Sequence, residues 1–196
     1  MKKLLALIFI VSISLQAYCQ QKTLDDFNYK KEKINKKGFL VLGSWSAANI
    51  IYGSIAASQT TGSTKYFNRM NAIWNGVTFS VAAFSYFTLK KEAGLSYEQS
   101  LKRQATLEKI FLFNAGLDVA YIAGGFYIKE RSKNTTKNPE RLRGFGESIA
   151  LQGGALLLFD AVMYSIHNCH GIQLYNMAGK VQLASTENGI GLVMKL

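Results

Sequence analysis

Proline is almost missing from this sequence, at one residue in 196, and cysteine is limited to two. A collagen and a disulfide-stapled scaffold are thereby excluded. Acidic side chains are scarce as well: 12 Asp plus Glu stand against 23 Lys plus Arg, a formal charge of +11, which rules out a disordered acidic tail. Catalytic signatures are also lacking. There is no G-x-S-x-G elbow, no P-loop and no H-E-x-x-H helix. No enzymatic activity, catalytic residue or cofactor is expected. What remains is apolar structure of single-domain length, 48% hydrophobic and 18% charged. Its mean hydropathy of +0.05 conceals a division into long charge-free stretches and short basic connectors.

The first residues read as an export signal. Lys2 and Lys3 precede an apolar run from Leu4 to Leu15, and a polar break follows at Gln16. That run is about a dozen residues, short of the ~20 that cross a bilayer as a helix. Cleavage is expected after Cys19, giving a signal peptide at 1–19 and a mature chain from Gln20. Acylation of Cys19 is an alternative, although Tyr18 stands where a lipobox needs a small residue; retention as an uncleaved anchor is another. Without Cys19 only Cys169 remains, so the fold rests on packing and not on a disulfide.

A basic segment, 20–37, leads into four charge-poor stretches. Residues 38–64 and 70–89 carry no charge, 110–128 carry only Asp118, and 148–167 carry only Asp160. The pattern predicts an all-α, four-helix transmembrane bundle over 38–167, with spans at about 38–58, 70–89, 108–128 and 146–167. A soluble bundle with buried helices is the alternative, because Ser, Asn, Thr and Gln dilute every span. The connectors 90–109 and 129–143 are basic, the second holding Pro139, and suit anionic lipid headgroups better than nucleic acid. From 168 to 196 the apolar residues, among them Ile172, Leu174, Val181 and Leu183, recur as in strands, with turns at Met177 to Lys180 and Glu187 to Gly189. A short β-hairpin-like tail is expected there. An export signal places the N-terminal segment, the 90–109 linker and the tail outside, whereas the positive-inside rule prefers the reverse.

Ionisable groups inside lipid are costly, which makes Asp118 and Asp160 the first residues to consider. On the third span Asn114, Asp118, Tyr121 and Gly125 share one helical face. Gly153, Asp160, Tyr164 and His167 do so on the fourth, Trp45, Asn49 and Tyr52 on the first, and Asn71, Asn75 and Thr78 on the second. Two readings are open. In one, the polar seams are hydrogen-bonded glue between helices, with Gly43, Ala47, Gly116, Gly124, Gly153 and Gly154 allowing close approach. Alternatively Asp118 and Asp160 face one cavity and handle a proton, a cation or a polar solute. A structural or interaction role in the envelope is expected first and a small transporter second. His167, Cys169 and His170 form a compact group of ligand types, but no second cluster accompanies them, and no metal site is expected.

The elements M-N-A-x-W-N at Met70 to Asn75, N-A-G-L-D-V-A-Y-I-A-G at Asn114 to Gly124, and Q-G-G, F-D and Tyr-x-x-His on the fourth span carry a resemblance. Over residues 38–167 the chain resembles uncharacterised bacterial four-helix membrane proteins with an export signal, grouped as a domain of unknown function. The resemblance implies a membrane class and no mechanism. The expected location is the bacterial inner membrane, and the expected partners are the bilayer with its anionic headgroups and a further copy or another envelope protein.

Overall fold

In this computed structural model, side chains are described for residues 21–177, and backbone alone for 2–20, 178, 181–186 and 189–194. The expected export signal at 1–19 therefore lies outside the residues whose side chains are described. The bundle is all-helical: α1 (Lys2–Gln59), α2 (Gly62–Thr88), α3 (Tyr97–Arg131) and α4 (Pro139–Ala178).

Local sequence explains each break. Between α1 and α2 only Thr60 and Thr61 intervene, and Gly62 takes a φ of 59°, which side chains resist. So short a link folds α2 back along α1. Ahead of α3, Ser96 Oγ accepts from the Gln99 amide at 3.2 Å while Gln99 Oε1 accepts from the Ser96 amide at 3.1 Å, a reciprocal cap. Pro139 stands at the first position of α4, where its missing N–H leaves no bond unmade.

Three of the four helices, over Gln21–Gln59, Tyr97–Asn134 and Pro139–Met177, are long and apolar enough to cross a membrane. The expectation of four such spans is corrected at α2. Asn68, Asn71 and Asn75, with Thr78, Ser80 and Ser85, dilute its apolar content.

Burial in the middle of the bundle runs opposite to that of a soluble protein. Phe84, Phe87, Phe113 and Leu158 are each at least two-thirds exposed, whereas Ser46, Asn75, Gln152 and His167 are sealed inside. Water would penalise that exposed apolar surface; hydrocarbon would not. At one end the order reverts. Leu24, Phe27 and Leu174 form a buried apolar cluster, with Tyr97, Leu101 and Met177 packed around it. The cap is built from the stretch of α1 around Leu24 and Phe27, the start of α3 and the end of α4. Helix length makes room for it: α4 has 40 residues, or about 60 Å, roughly twice the hydrocarbon thickness.

Two hairpins, α1–α2 and α3–α4, join chiefly where α2 meets α4. The α3–α4 crossing is close because glycines face backbone. A Cβ at Gly125 would sit 2.5 Å from the Ala150 nitrogen, one at Gly146 2.5 Å from the Gly125 oxygen, and one at Gly153 2.9 Å from the Asp118 oxygen. Gly53 meets α2 in the same way, 2.8 Å from the Asn68 oxygen. Of the small residues expected at crossings, Gly153 is there, but Gly116, Gly124 and Gly154 have nothing within 4 Å, and Gly43 makes only ordinary contact with Ala82. Their azimuth turns them away from neighbouring helices.

The C-terminal boundary is also corrected. Helix α4 continues to Ala178, so Ile172 and Leu174, read as strand positions, are helical. Leu174 is fully buried against α1, and that packing outweighs a period-two pattern this short. Farther on, the backbone of Val181–Thr186 pairs antiparallel with Gly189–Met194.

Candidate functional site

The polar residues of the bundle fall into separate groups. Asn71 is the hub of the first: its Nδ2 donates to Asn49 Oδ1 at 3.2 Å, and its Oδ1 accepts from Asn75 Nδ2 at 3.1 Å and from Gln152 Nε2. Asn75 Nδ2 also donates to the Asn71 carbonyl at 2.9 Å, and Asn49 Nδ2 to the Trp45 carbonyl at 2.9 Å. Amides from α1, α2 and α4 thus bind one another, with Asn75 Oδ1 left without a partner. Sequence reasoning placed Asn71 on the seam of α2 but did not single it out, or Gln152, as a site residue. Gln152, next to Gly153 on the face α4 turns inward, was the available signal.

The second group lines a cleft. Helices α2 and α3 barely touch; Trp74 and Tyr121 bridge them edge to face, with centroids 5.0 Å apart at 84°. Elsewhere the two helices part around a half-open cavity of about 690 Å³, floored by α4 and α1. Its walls are mostly apolar, including Val77 and Val81 of α2, Ile110 and Leu117 of α3, and Phe159 of α4. Asn114, Asp118 and Asp160 bring polar atoms into it, together with Thr78 and Ser85. Among the described residues no Lys, Arg or His lines the cavity.

Asp118 and Asp160 are both buried, at 3% and 6% exposure, and their carboxyl groups lie within hydrogen-bonding reach of each other. The geometry follows from helix chirality. Gly153 of α4 packs level with Asp118 of the antiparallel α3, and Asp160 lies two turns farther along. Every Cα–Cβ bond tilts toward its own helix's N-terminus, so the two side chains lean toward one another across that offset. Two carboxyl groups hydrogen-bond to each other only through a proton carried by one of them. Asp118 Oδ2 is buried with no hydrogen-bond donor from another kind of side chain.

The cleft thus collects Asn114, Asp118, Tyr121 and Asp160 from the expected residues. Asn49 and Asn75 belong to the amide group. Tyr164, half-buried, is not part of the lining. His167 lies deeper toward the cap: its Nε2 is 2.9 Å from Asn35 Oδ1, its ring stacks on Phe111 at 5.4 Å, and its carbonyl accepts from Gln104 Nε2 at 2.7 Å. His170 stacks on Phe27 at 4.2 Å with Nε2 3.0 Å from the Phe27 carbonyl, while Cys169 is exposed. Among the described residues no group of three or more His, Cys, Asp or Glu side chains is placed to hold a metal ion.

A third group, in the cap, had no sequence signal. Lys31 is fully buried with Nζ 2.5 Å from Glu92 Oε2, and Arg103 reaches Glu92 Oε1 at 3.3 Å. Asn28 receives Lys31 at 3.4 Å and donates to Ser100 Oγ at 2.9 Å. Charge runs read along the chain showed only solvated surface there.

No curated protein and no solved structure matches the chain. Residues 41–161, which include the amide hub and the carboxyl pair, match a family of unknown function, DUF6992, and the chain belongs to that family.

Proposed function

We propose that the protein is an integral membrane protein of a bacterial inner membrane, without catalytic activity, whose Asp118–Asp160 pair handles a proton or a polar solute inside the bundle. The observation that carries this reading is the shared cavity: two buried carboxyls meet on one volume that no basic side chain among the described residues lines. Buried acids are ordinarily matched by a cation or a hydrogen-bond donor from the protein. Here a proton or a ligand must take that part. The membrane setting is supported by three helices of spanning length and by the outward-facing apolar side chains. The basic segments 20–37, 90–109 and 129–143 then lie at headgroup level, where anionic lipid attracts them.

A structural or interaction role is a second reading, supported by the amide group of Asn49, Asn71, Asn75 and Gln152, whose side chains bond mainly to one another. It accounts for that seam and not for the carboxyls.

Two measurements test the proposal. In an alkaline carbonate wash of membranes from expressing cells the chain should stay in the pellet; release would leave a soluble bundle and overturn the membrane reading. Infrared spectra of the purified protein at neutral pH should then contain the carbonyl stretch of a protonated carboxyl. Replacement of both Asp118 and Asp160 by Asn should remove it, and an unchanged band would refute a proton held by the pair.

A further inference from the structure

The cleft has a mouth, a wall chemistry and one charged point, which together define a ligand class. Its mouth lies between α2 and α3, where the lining residues Ile73, Val77 and Val81 are all more than half exposed on the apolar surface of the bundle. Entry is therefore from hydrocarbon. Apolar walls accept an apolar body, and a volume of about 690 Å³ falls within the range of sites for small organic ligands. The ionisable groups that line the cleft are Asp118, Asp160 and the Tyr121 phenol; α1 contributes Phe39 and Leu42, and α2 no charged side chain. An anionic amphiphile would meet only acids there. A neutral one without a hydrogen-bond donor would leave Asp118 Oδ2 without a partner, and one with a donor would not match the charge of the pair. Trp74 and Tyr121 add aromatic surface to the lining, and such rings attract cations.

We propose that this cleft binds a monovalent lipophilic organic cation, which enters sideways from the bilayer between α2 and α3 and displaces the proton held between Asp118 and Asp160. The proposal rests on the membrane and carboxyl-pair reading given above. Charge balances: one cation enters, one proton leaves to the solvent, the pair goes from one negative charge to two, and the occupied site as a whole keeps its net charge. The bilayer concentrates such a ligand at the mouth of the cleft, and the carboxyl pair selects its charge.

Tetraphenylphosphonium and tetraphenylborate, alike in shape and opposite in charge, are suitable probes for the full-length protein in lipid nanodiscs. Equilibrium binding should show saturable uptake of tetraphenylphosphonium, with proton release measured in weakly buffered solution, and no saturable uptake of tetraphenylborate. Asp118→Asn and Asp160→Asn should each weaken cation binding on the order of 100-fold, as expected when one partner of a buried charge contact is neutralised. Trp74→Ala should weaken it about fivefold, the scale of one cation–π contact. Helical circular dichroism of each variant checks the fold, and the two wild-type probes test charge selection without any variant. Equal uptake of both probes, or cation binding indifferent to the Asn substitutions, would overturn the proposal. Absence of cation binding with the wild-type carboxyl infrared band intact would overturn it and leave the carboxyl-pair reading standing; loss of the band as well would end both.

Discussion

Gly124 and Gly125 are adjacent in sequence and identical in chemistry, yet the structure assigns them opposite responses to one added methyl group. At Gly124 a Cβ meets nothing within 4 Å. Gly124→Ala should therefore be neutral or stabilising, by ~0.5–1 kcal/mol, because alanine loses less backbone entropy in a helix. At Gly125 the same atom would stand 2.5 Å from the Ala150 nitrogen, 2.7 Å from the Gly146 oxygen and 2.8 Å from the Ala150 Cβ. Two of these are backbone atoms of α4 and yield only if the helices separate, by about 1 Å to restore ordinary contact. Overpacking of that kind costs ~1–3 kcal/mol. The two variants should thus differ by ~2–4 kcal/mol. Reversible unfolding in mixed micelles of dodecyl maltoside and dodecyl sulfate, followed by helical circular dichroism, measures that difference. Equal stabilities, or a greater loss at Gly124, would show that α3 and α4 do not cross at Gly125 and Gly146.

Two further outcomes follow from the cap and from the orientation of the chain. Glu92→Gln should destabilise the folded protein by ~3–5 kcal/mol, because it strands the buried Lys31 ammonium without its carboxylate. Lys31→Met should cost less, since Glu92 keeps Arg103 at 3.3 Å; urea unfolding that ranks the pair the other way would refute this account. Cys169 is exposed near the C-terminal end of α4, on the side that the export orientation places outside. A membrane-impermeant maleimide should label it in intact spheroplasts and not label Cys169→Ser; labelling only after lysis would reverse the topology.

The fate of the expected site residues shows what a linear pattern conveys. Asn114, Asp118 and Tyr121 were placed on one face by spacing alone, and that face does line the cleft. Tyr164 and His167 shared a face with Asp160 by the same rule, yet the cavity does not include them. His167 is instead closed off between Phe111 and Asn35. Spacing groups residues on a helix but does not say how far along that face a neighbour opens or closes. The glycines illustrate the angular version of this limit: neighbours in sequence lie about 100° apart around the axis, enough to put Gly125 in a crossing and Gly124 outside it. Lys31 and Glu92 gave no signal at all, because their pairing depends on the loop before α3 returning to the middle of α1.

By itself the sequence determined the all-helical class of the bundle, the division between apolar stretches and basic connectors, and the rarity of charge within them, but not where the helices begin and end. These are properties of a segment and its solvent, since the free energy of moving residues from water to hydrocarbon adds along the chain. Tertiary structure alone decided that Asp118 and Asp160 meet, that Asn71 gathers three amides, and that α2 and α3 stand apart over a cavity. Those outcomes depend on the rotation and offset of each helix against its neighbours. Close backbone contact at a few glycines sets both, and nothing in one helix's own sequence specifies the face its partner presents.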